Sequence, residues 1–364
     1  MTSPKPKESI MQIKPYVGGK SKADGAQRII KLSSNENPWG PSPKAIAAFE
    51  AAAKNLHRYP DGGHMELRET LSKTHGFPEN ELICGSGSDE LIGLLIHAFA
   101  GKGDEVLYSQ YGFLMYKIYT LANEATPVTA PEKELHFDVD AMLAAVTPRT
   151  KILFIANPNN PTGTYIPFSE IKRLRAGLRE DVILALDAAY AEYMDVNDYD
   201  TGHGLVKDTN TVVFHTFSKI FGLPALRLGW AHGPAAIIDA MNRIRSPFNV
   251  TAPALAAGVA ALHDTAFVPQ QREKNAIERK RVCDTLKQLG LGFVQSHTNF
   301  VLVHFGSTQK ATEANQFLTQ RGLIVRDTVA YGLPEYLRIS FGTSEENNLL
   351  TQALNDFVAS RNAA

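Results

Sequence analysis

Lys151-Ile-Leu-Phe-Ile-Ala156, Val182-Ile-Leu-Ala-Leu186 and Thr211-Val-Val-Phe214 are near-continuous apolar runs that follow one another along the middle of the chain. Each is short and lacks polar alternation, as a strand buried on both faces does. Between the first two lies a helical pattern, Ser169-Glu-Ile-Lys-Arg-Leu-Arg175. Two-sided burial of strands that alternate with helices predicts an α/β fold with a mainly parallel central sheet flanked by helices. The same alternation extends upstream. Glu81–Cys84 reads as a strand, Gly85–Ser88 as a tight turn, Asp89–Ala100 as a helix and Val106–Tyr108 as a further strand.

Past Ala261 the character changes. Gln271–Gly290 is highly charged and has the apolar spacing of a long surface helix, with Arg272 to Arg281 alternating with Glu273 and Glu278 as a solvated face does. Strand-like Phe300–Val303, Leu323–Arg326 and Leu337–Phe341 follow, and Glu345–Ser360 closes as an amphipathic helix. The predicted organisation is an irregular N-terminal arm over 1–42, a large domain over 43–262 and a smaller α+β domain over 263–364. The arm is rich in Lys, Ser, Asn, Pro and Gly and is expected to lie on something else.

Composition removes several classes of function. Lys and Arg number 37 against 38 Asp and Glu, so no global basic field exists to hold nucleic acid or an anionic membrane. The two cysteines, Cys84 and Cys283, make neither a disulfide framework nor a zinc site, which fits a reducing cytoplasm. The N-terminus has no apolar core of a secretory signal, and Leu91–Ala100 is too short to span a bilayer. The 11 histidines lack metal-ligand spacing, so no metal site is expected.

Chemistry-bearing residues cluster where strands end. Thr216-Phe-Ser218-Lys219 closes the strand Thr211–Phe214, and ligands of open α/β sheets bind outside carboxyl ends of strands. A lysine beside Ile220-Phe221 is placed to lose basicity and form a Schiff base with an aldehyde. Arg227, in the apolar run Leu226-Arg-Leu-Gly229, wants an anion such as a phosphate. On these two residues alone, a surface lysine and a salt-bridged arginine are equally good readings. Asp187 ends Val182–Leu186 as either a helix cap or a partner for a buried cation, with Tyr190 three residues on. Asn157-Pro-Asn-Asn160-Pro-Thr-Gly163 is a rigid turn after its strand, fit to hold an amide or simply to end the strand. Gly85-Ser-Gly-Ser-Asp-Glu90 offers backbone N–H groups at a helix start, suited to phosphate, but matches neither nucleotide fingerprint.

In this order, the motifs resemble the fold-type I pyridoxal-phosphate enzymes of the aspartate aminotransferase superfamily. Ile13-Lys-Pro-Tyr16, Leu32-Ser-Ser-Asn-Glu-Asn-Pro-Trp-Gly-Pro-Ser-Pro43, Arg58-Tyr-Pro-Asp-Gly62, Pro247-Phe-Asn249 and Gly332-Leu-Pro-Glu-Tyr-Leu-Arg338 narrow the likeness to histidinol-phosphate aminotransferases, over nearly the whole chain. The resemblance implies pyridoxal 5′-phosphate as cofactor, with Lys219 as its Schiff-base amine and proton shuttle. It implies Asp187 on the ring nitrogen, Tyr190 and Asn160 on the ring's phenolic oxygen, and Phe113 stacked on the ring. Ser88, Asp89 through its backbone N–H, Thr216, Ser218 and Arg227 would take the phosphate, joined by Tyr59 from a neighbouring subunit of a homodimer. Arg338 would hold the substrate's anionic group, and Arg326, Tyr16 and Asn35 would complete the substrate site, Tyr16 also from the neighbour. The implied reaction moves an amino group between histidinol phosphate and 2-oxoglutarate in a ping-pong cycle of histidine biosynthesis.

The chain departs from this pattern at Ala188, where many relatives have Glu, at His215, where Arg often precedes the Thr-Phe-Ser-Lys run, and at Pro224-Ala225. These leave an aromatic amino-acid aminotransferase as the main alternative. A phospho-amino-acid decarboxylase and an aminotransferase-like transcription regulator are further alternatives; the latter would need a basic DNA-binding module, for which the arm is too short.

Overall fold

The computed structural model describes residues 3–16, 18–19 and 28–362. Seven strands form the main sheet: β1 (Leu82–Gly85), β2 (Glu105–Ser109), β3 (Thr126–Ala130), β4 (Thr150–Ala156), β5 (Ile183–Asp187), β6 (Thr211–Thr216) and β7 (Gly229–His232). Their order is β1-β7-β6-β5-β4-β2-β3, and only β7 runs antiparallel to its neighbours. Two-sided burial is what the apolar runs require. On β4, Ile152 and Phe154 enter one core while Leu153 and Ile155 enter another on the opposite face. Phe154 and Phe214 are wholly buried, each worth about 2–3 kcal/mol of apolar transfer.

The predicted strands and helices are present with edges moved by a residue or more. The run Leu323–Arg326 is the exception, because it serves two sheets. Leu323–Ile324 pairs in parallel with Ile30–Lys31 of the N-terminal segment. Arg326–Asp327 instead pairs antiparallel with Tyr336–Ser340, in a four-stranded sheet that also holds Gly292–Phe293 and Phe300–His304. Ile30 and Leu32 are buried in the same core as Val301, Leu318 and Leu354, so this part of the arm packs into the C-terminal unit.

The long helix spans Phe267–Gln288 and buries Gln271, Asn275, Glu278, Val282 and Leu286. Glu278 therefore does not belong to a solvated face. It lies on the inward stripe set by this spacing, where its carboxylate accepts from Ser344 Oγ at 2.6 Å and Asn347 Nδ2 at 2.7 Å. Among the described residues no helix is long and apolar enough to cross a membrane, and no cluster of side chains could hold a metal ion.

Candidate active site

A cavity of about 300 Å³ opens over the carboxyl ends of β4, β5 and β6, where the four-stranded sheet meets the main one. Tyr16, Asn35, Ser88, Asp89, Phe113, Asn160, Asp187, Tyr190, Thr216, Ser218, Lys219, Arg227, Arg326 and Arg338 all line it. Of the residues singled out from the sequence, only Tyr59 lies elsewhere. It is 83% exposed and stacks on Phe248, ring centroids 4.7 Å apart.

Asp187 is the last residue of β5 and is buried. Its Oδ2 accepts from the Tyr116 hydroxyl at 2.9 Å and its Oδ1 from the Ala189 N–H at 3.2 Å. Burial pushes its pKa above the usual carboxylate range, and these two bonds oppose the rise. Lys219, beyond β6, holds its Nζ 5.6 Å from the centre of the Tyr190 ring. Burial first, and then the positive charge of Arg338, lower its pKa to about 8. The amine is thus far easier to deprotonate than an exposed lysine.

Tyr190 is buried, and its hydroxyl accepts from Asn35 Nδ2 at 2.9 Å. Burial raises its pKa to about 12 against the pull of Arg338 and Asn35. Asn35 has the left-handed φ of 55° and is pinned by Ser340 Oγ at 2.9 Å and, through its own carbonyl, by Asn299 Nδ2 at 2.9 Å. Asn160 sits in the turn after β4, where Asn157 bonds both backbone groups of Ile166. Its Oδ1 accepts from Arg338 Nη1.

At the start of the helix Ser88–Phe99, glycines bring backbone and guanidinium together. A Cβ on Gly87 would lie 2.6 Å from Arg227 Nη2, and one on Gly229 only 2.5 Å from the Ser88 backbone nitrogen. Arg227 donates to Asp89 Oδ2 at 3.0 Å and to Ser218 Oγ at 3.3 Å. Thr216 Oγ1 accepts the Ser218 N–H at 3.1 Å. Free N–H groups, hydroxyls and a guanidinium at a helix start make an anion cradle.

The opposite end of the cavity carries a second positive centre. Arg326 and Arg338 are cross-strand partners, both buried, and among the described residues neither makes an ion pair with a carboxylate. Tyr16 lies against them, with Arg326 Cζ 6.0 Å from its ring centre. Tyr16 lines the cavity of its own chain here. The helix Glu8–Met11 packs on the helix Leu114–Ala122, and Lys7 pairs with Glu124 at 2.7 Å, which folds this segment back over its own domain.

Sequence reasoning missed Tyr116, the hydroxyl donor to Asp187. Tyr116 stands in the first turn of the helix that Phe113 precedes, its ring 5.8 Å from that of Phe113, and this nearness in sequence is the one signal that could have found it. It also missed Ser33, whose carbonyl accepts from Arg338 Nη2 at 2.9 Å.

The family model for aminotransferase class I and II matches residues 27–354. The histidinol-phosphate aminotransferase of Rhodopseudomonas palustris is 53% identical over 362 residues, covering 98% of this chain and 99% of that protein. That of Paramagnetospirillum magneticum is 53% identical over 361 residues, again 98% and 99%. Among solved structures, the histidinol-phosphate aminotransferase of Sinorhizobium meliloti in complex with pyridoxal-5′-phosphate superposes with a TM-score of 0.89 at 27% identity, covering 97% of each chain. The Thermus thermophilus aspartate aminotransferase tetra mutant gives 0.81 at 25% identity over 92% of this chain and 97% of its own.

Proposed function

The chain belongs to the class I and II aminotransferases, and from that premise we propose that it transfers the amino group of L-histidinol phosphate to 2-oxoglutarate, as a pyridoxal-phosphate-dependent transaminase of histidine biosynthesis. The observation that carries the substrate assignment is the Arg326–Arg338 pair. Two buried guanidiniums with no carboxylate partner among the described residues suit an anion from outside. An arginine fork suits phosphate and carboxylate alike, which a pocket serving both substrates in turn requires.

The residues fit pyridoxal phosphate at the other end. The glycine-cleared cradle of Ser88, Asp89, Thr216, Ser218 and Arg227 suits its phosphate. Buried Asp187 suits a protonated ring nitrogen, and Phe113 flanks the space for the ring. When bound, the cofactor supplies an aldehyde for amines and an electron-withdrawing ring that stabilises charge at the substrate's α-carbon. The protein's part is to hold and move protons around it. With a pKa of about 8, roughly one Lys219 in ten is neutral at pH 7, able to attack a carbonyl and later to take a proton from the α-carbon. Tyr116 and the Ala189 N–H favour the ionised form of Asp187 against the effect of its burial, and that carboxylate would pair with a protonated ring nitrogen. Tyr190, oriented by Asn35, and Asn160, oriented by Arg338, would supply hydrogen bonds to the ring's phenolic oxygen.

A second copy of the chain completes the assembly in this reading. Leu56, Tyr59 and Met65 are each more than 60% exposed, an apolar surface suited to a homodimer that would bring Tyr59 to the neighbour's cradle. Its cysteines are free thiols, in keeping with work in the cytoplasm.

The test is steady-state turnover of the cofactor-loaded protein with 2-oxoglutarate and either L-histidinol phosphate or L-phenylalanine. A kcat/KM at least about tenfold higher for the phosphate is expected from a charge-assisted fork. Equal or better use of phenylalanine would make it an aromatic aminotransferase instead.

A further inference from the structure

Behind Asp187, on the side of the sheet away from the cavity, three imidazoles are joined end to end. Glu192 Oε1 lies 3.1 Å from His215 Nδ1, and His215 Nε2 lies 3.0 Å from His203 Nε2. His203 Nδ1 lies 3.0 Å from His232 Nδ1, whose Nε2 is 3.1 Å from Glu81 Oε2. His215 comes from β6 and His232 from β7, while His203 begins the short turn His203–Leu205. Trp230 stacks on His215 and Phe77 on His232, with ring centroids 4.4 and 3.9 Å apart.

Proton counting makes this chain unusual. It has four contacts, and each holds only if one hydrogen lies between its two heavy atoms. Three neutral imidazoles carry one ring hydrogen each. Two ionised carboxylates add none, so satisfying every contact takes one proton more than the neutral rings bring. Without it, two lone pairs face each other at hydrogen-bond distance in a buried site, which is costly.

We propose that His232, His203 and His215 form a proton wire that carries one excess proton between Glu81 and Glu192 and sets a positive charge behind Asp187 when the proton rests on His215. In one arrangement His232 is the cation, donating from Nε2 to Glu81 and from Nδ1 to His203. His203 then donates from Nε2 to His215, and His215 from Nδ1 to Glu192. In the other, the Nδ1 proton of His232 has passed to His203 Nδ1, and the Nε2 proton of His203 to His215 Nε2. His215 is now the cation, His232 keeps its bond to Glu81, and the proton count is unchanged.

The surroundings suit this division of labour. Burial and the two flanking rings depress His203 to about 2, which keeps the middle ring a neutral relay. Burial also lowers His232, opposed by its bond to Glu81. The side chains of Glu81 and Glu192 are 27% and 20% exposed, so both ends meet solvent while His215 and His232 do not. The other titratable or charged groups near the chain include His75, stacked on Trp230 and lowered to about 4 mainly by burial, Tyr193 and Tyr199 near Glu192, Arg272, whose Nε donates to the Glu192 carbonyl at 2.7 Å, and Asp187 on the adjoining strand. The three histidines are positioning residues, since none lines the cavity. Their consequence for Asp187 rests on the role proposed for that carboxylate above, whereas the shared proton does not.

The test is long-range 15N spectroscopy of histidine-labelled, cofactor-loaded protein between pH 5 and 9. His203 is expected to stay neutral, with His215 and His232 titrating at one shared midpoint. Glu81→Gln removes the attraction at one end and should shift the proton distribution toward His215 by about tenfold. His203→Phe should make the two ends titrate separately. Should that variant not fold, Glu81→Gln, at a partly exposed carboxylate, decides alone. A His215 spectrum unmoved by Glu81→Gln, or no charged ring down to pH 5, overturns the wire. Asp187→Ala separates the two readings: it should abolish amino transfer while leaving the coupled histidine titration in place.

Discussion

Arg338 ties the two halves of the molecule together by donating to Asn160, in the turn after β4, while its other terminal nitrogen holds the Ser33 carbonyl at 2.9 Å. Its plane lies over Phe300, Cζ 5.4 Å from the ring centre, and its buried Nε has no hydrogen-bond partner among the described residues. The guanidinium is thus preorganised before any anion arrives. Lysine in its place keeps a charge but cannot reproduce the planar fork. Arg338→Lys is expected to lower kcat/KM by roughly 10- to 100-fold, the equivalent of one or two charge-assisted bonds. With one pocket serving both anions, as proposed, the loss should appear with histidinol phosphate and with 2-oxoglutarate. A loss confined to one substrate in steady-state assays would argue for separate sites.

Tyr116 controls the charge of Asp187. Burial raises the carboxyl's pKa, and the Tyr116 hydroxyl is the stronger of two bonds opposing it. Tyr116→Phe removes that bond and lets the pKa rise further, so the carboxylate takes up a proton at a higher pH as acid is added. The acidic limb of the kcat/KM profile should move upward by about one pH unit, from the value of a hydrogen bond to a charged group. Profiles from pH 5 to 9 would show it, and an unmoved limb would mean that Asp187 does not act as a carboxylate in the rate-determining complex.

Lys219 works at the expense of stability. Its folded pKa of about 8 lies below that of an unfolded lysine, so the unfolded chain binds this proton more tightly. Below pH 8 the handicap is present in full, and it fades as pH rises from 8 toward 10.5. Cofactor-free Lys219→Met should therefore be more stable than the parent at pH 7, by up to about 3 kcal/mol. The difference should shrink toward pH 10. Urea unfolding at both pH values checks the sign, and a variant less stable at pH 7 would refute it.

The interior strands were legible because burial on both faces writes itself as an unbroken apolar run. The edges were not. Thr126-Pro-Val-Thr-Ala130 is an edge strand, half-exposed and tolerant of Pro127, with no pattern to separate it from a loop. The helices Pro43–Ala53 and Ala252–His263 pack on each other through alanines, which give little amphipathic contrast. Asp187 could be found because it ends a strand, and Lys219 because it stands three residues past the end of one. Their anion at the far end could not be read from spacing, since Arg326 and Arg338 meet only across a strand pair. His203 had no signal at all, standing in an irregular turn far in sequence from β7 and joined to it only by tertiary folding.

The proposed phosphate cradle depends on a missing methyl group at Gly229. On β7, a Cβ there would meet the Ser88 nitrogen at 2.5 Å, the Gly87 carbonyl carbon at 2.7 Å and the His215 oxygen at 2.9 Å. All three are backbone atoms, so no side-chain rotation can relieve the clash. Gly229→Ala must push the start of the helix Ser88–Phe99 away from the sheet and open the cradle around Ser88 and Asp89. Overpacking of this kind costs about 1–3 kcal/mol. If it falls on the bound state, pyridoxal phosphate should bind roughly 5- to 150-fold more weakly. At Gly87 the nearest atom is instead the tip of Arg227, but φ is +83°, so Gly87→Ala adds backbone strain to a lost guanidinium position. Fluorescence titration of each variant with the cofactor, beside its thermal unfolding, separates the effects. Gly229→Ala binding as tightly as the parent would show that the cradle does not hold the phosphate.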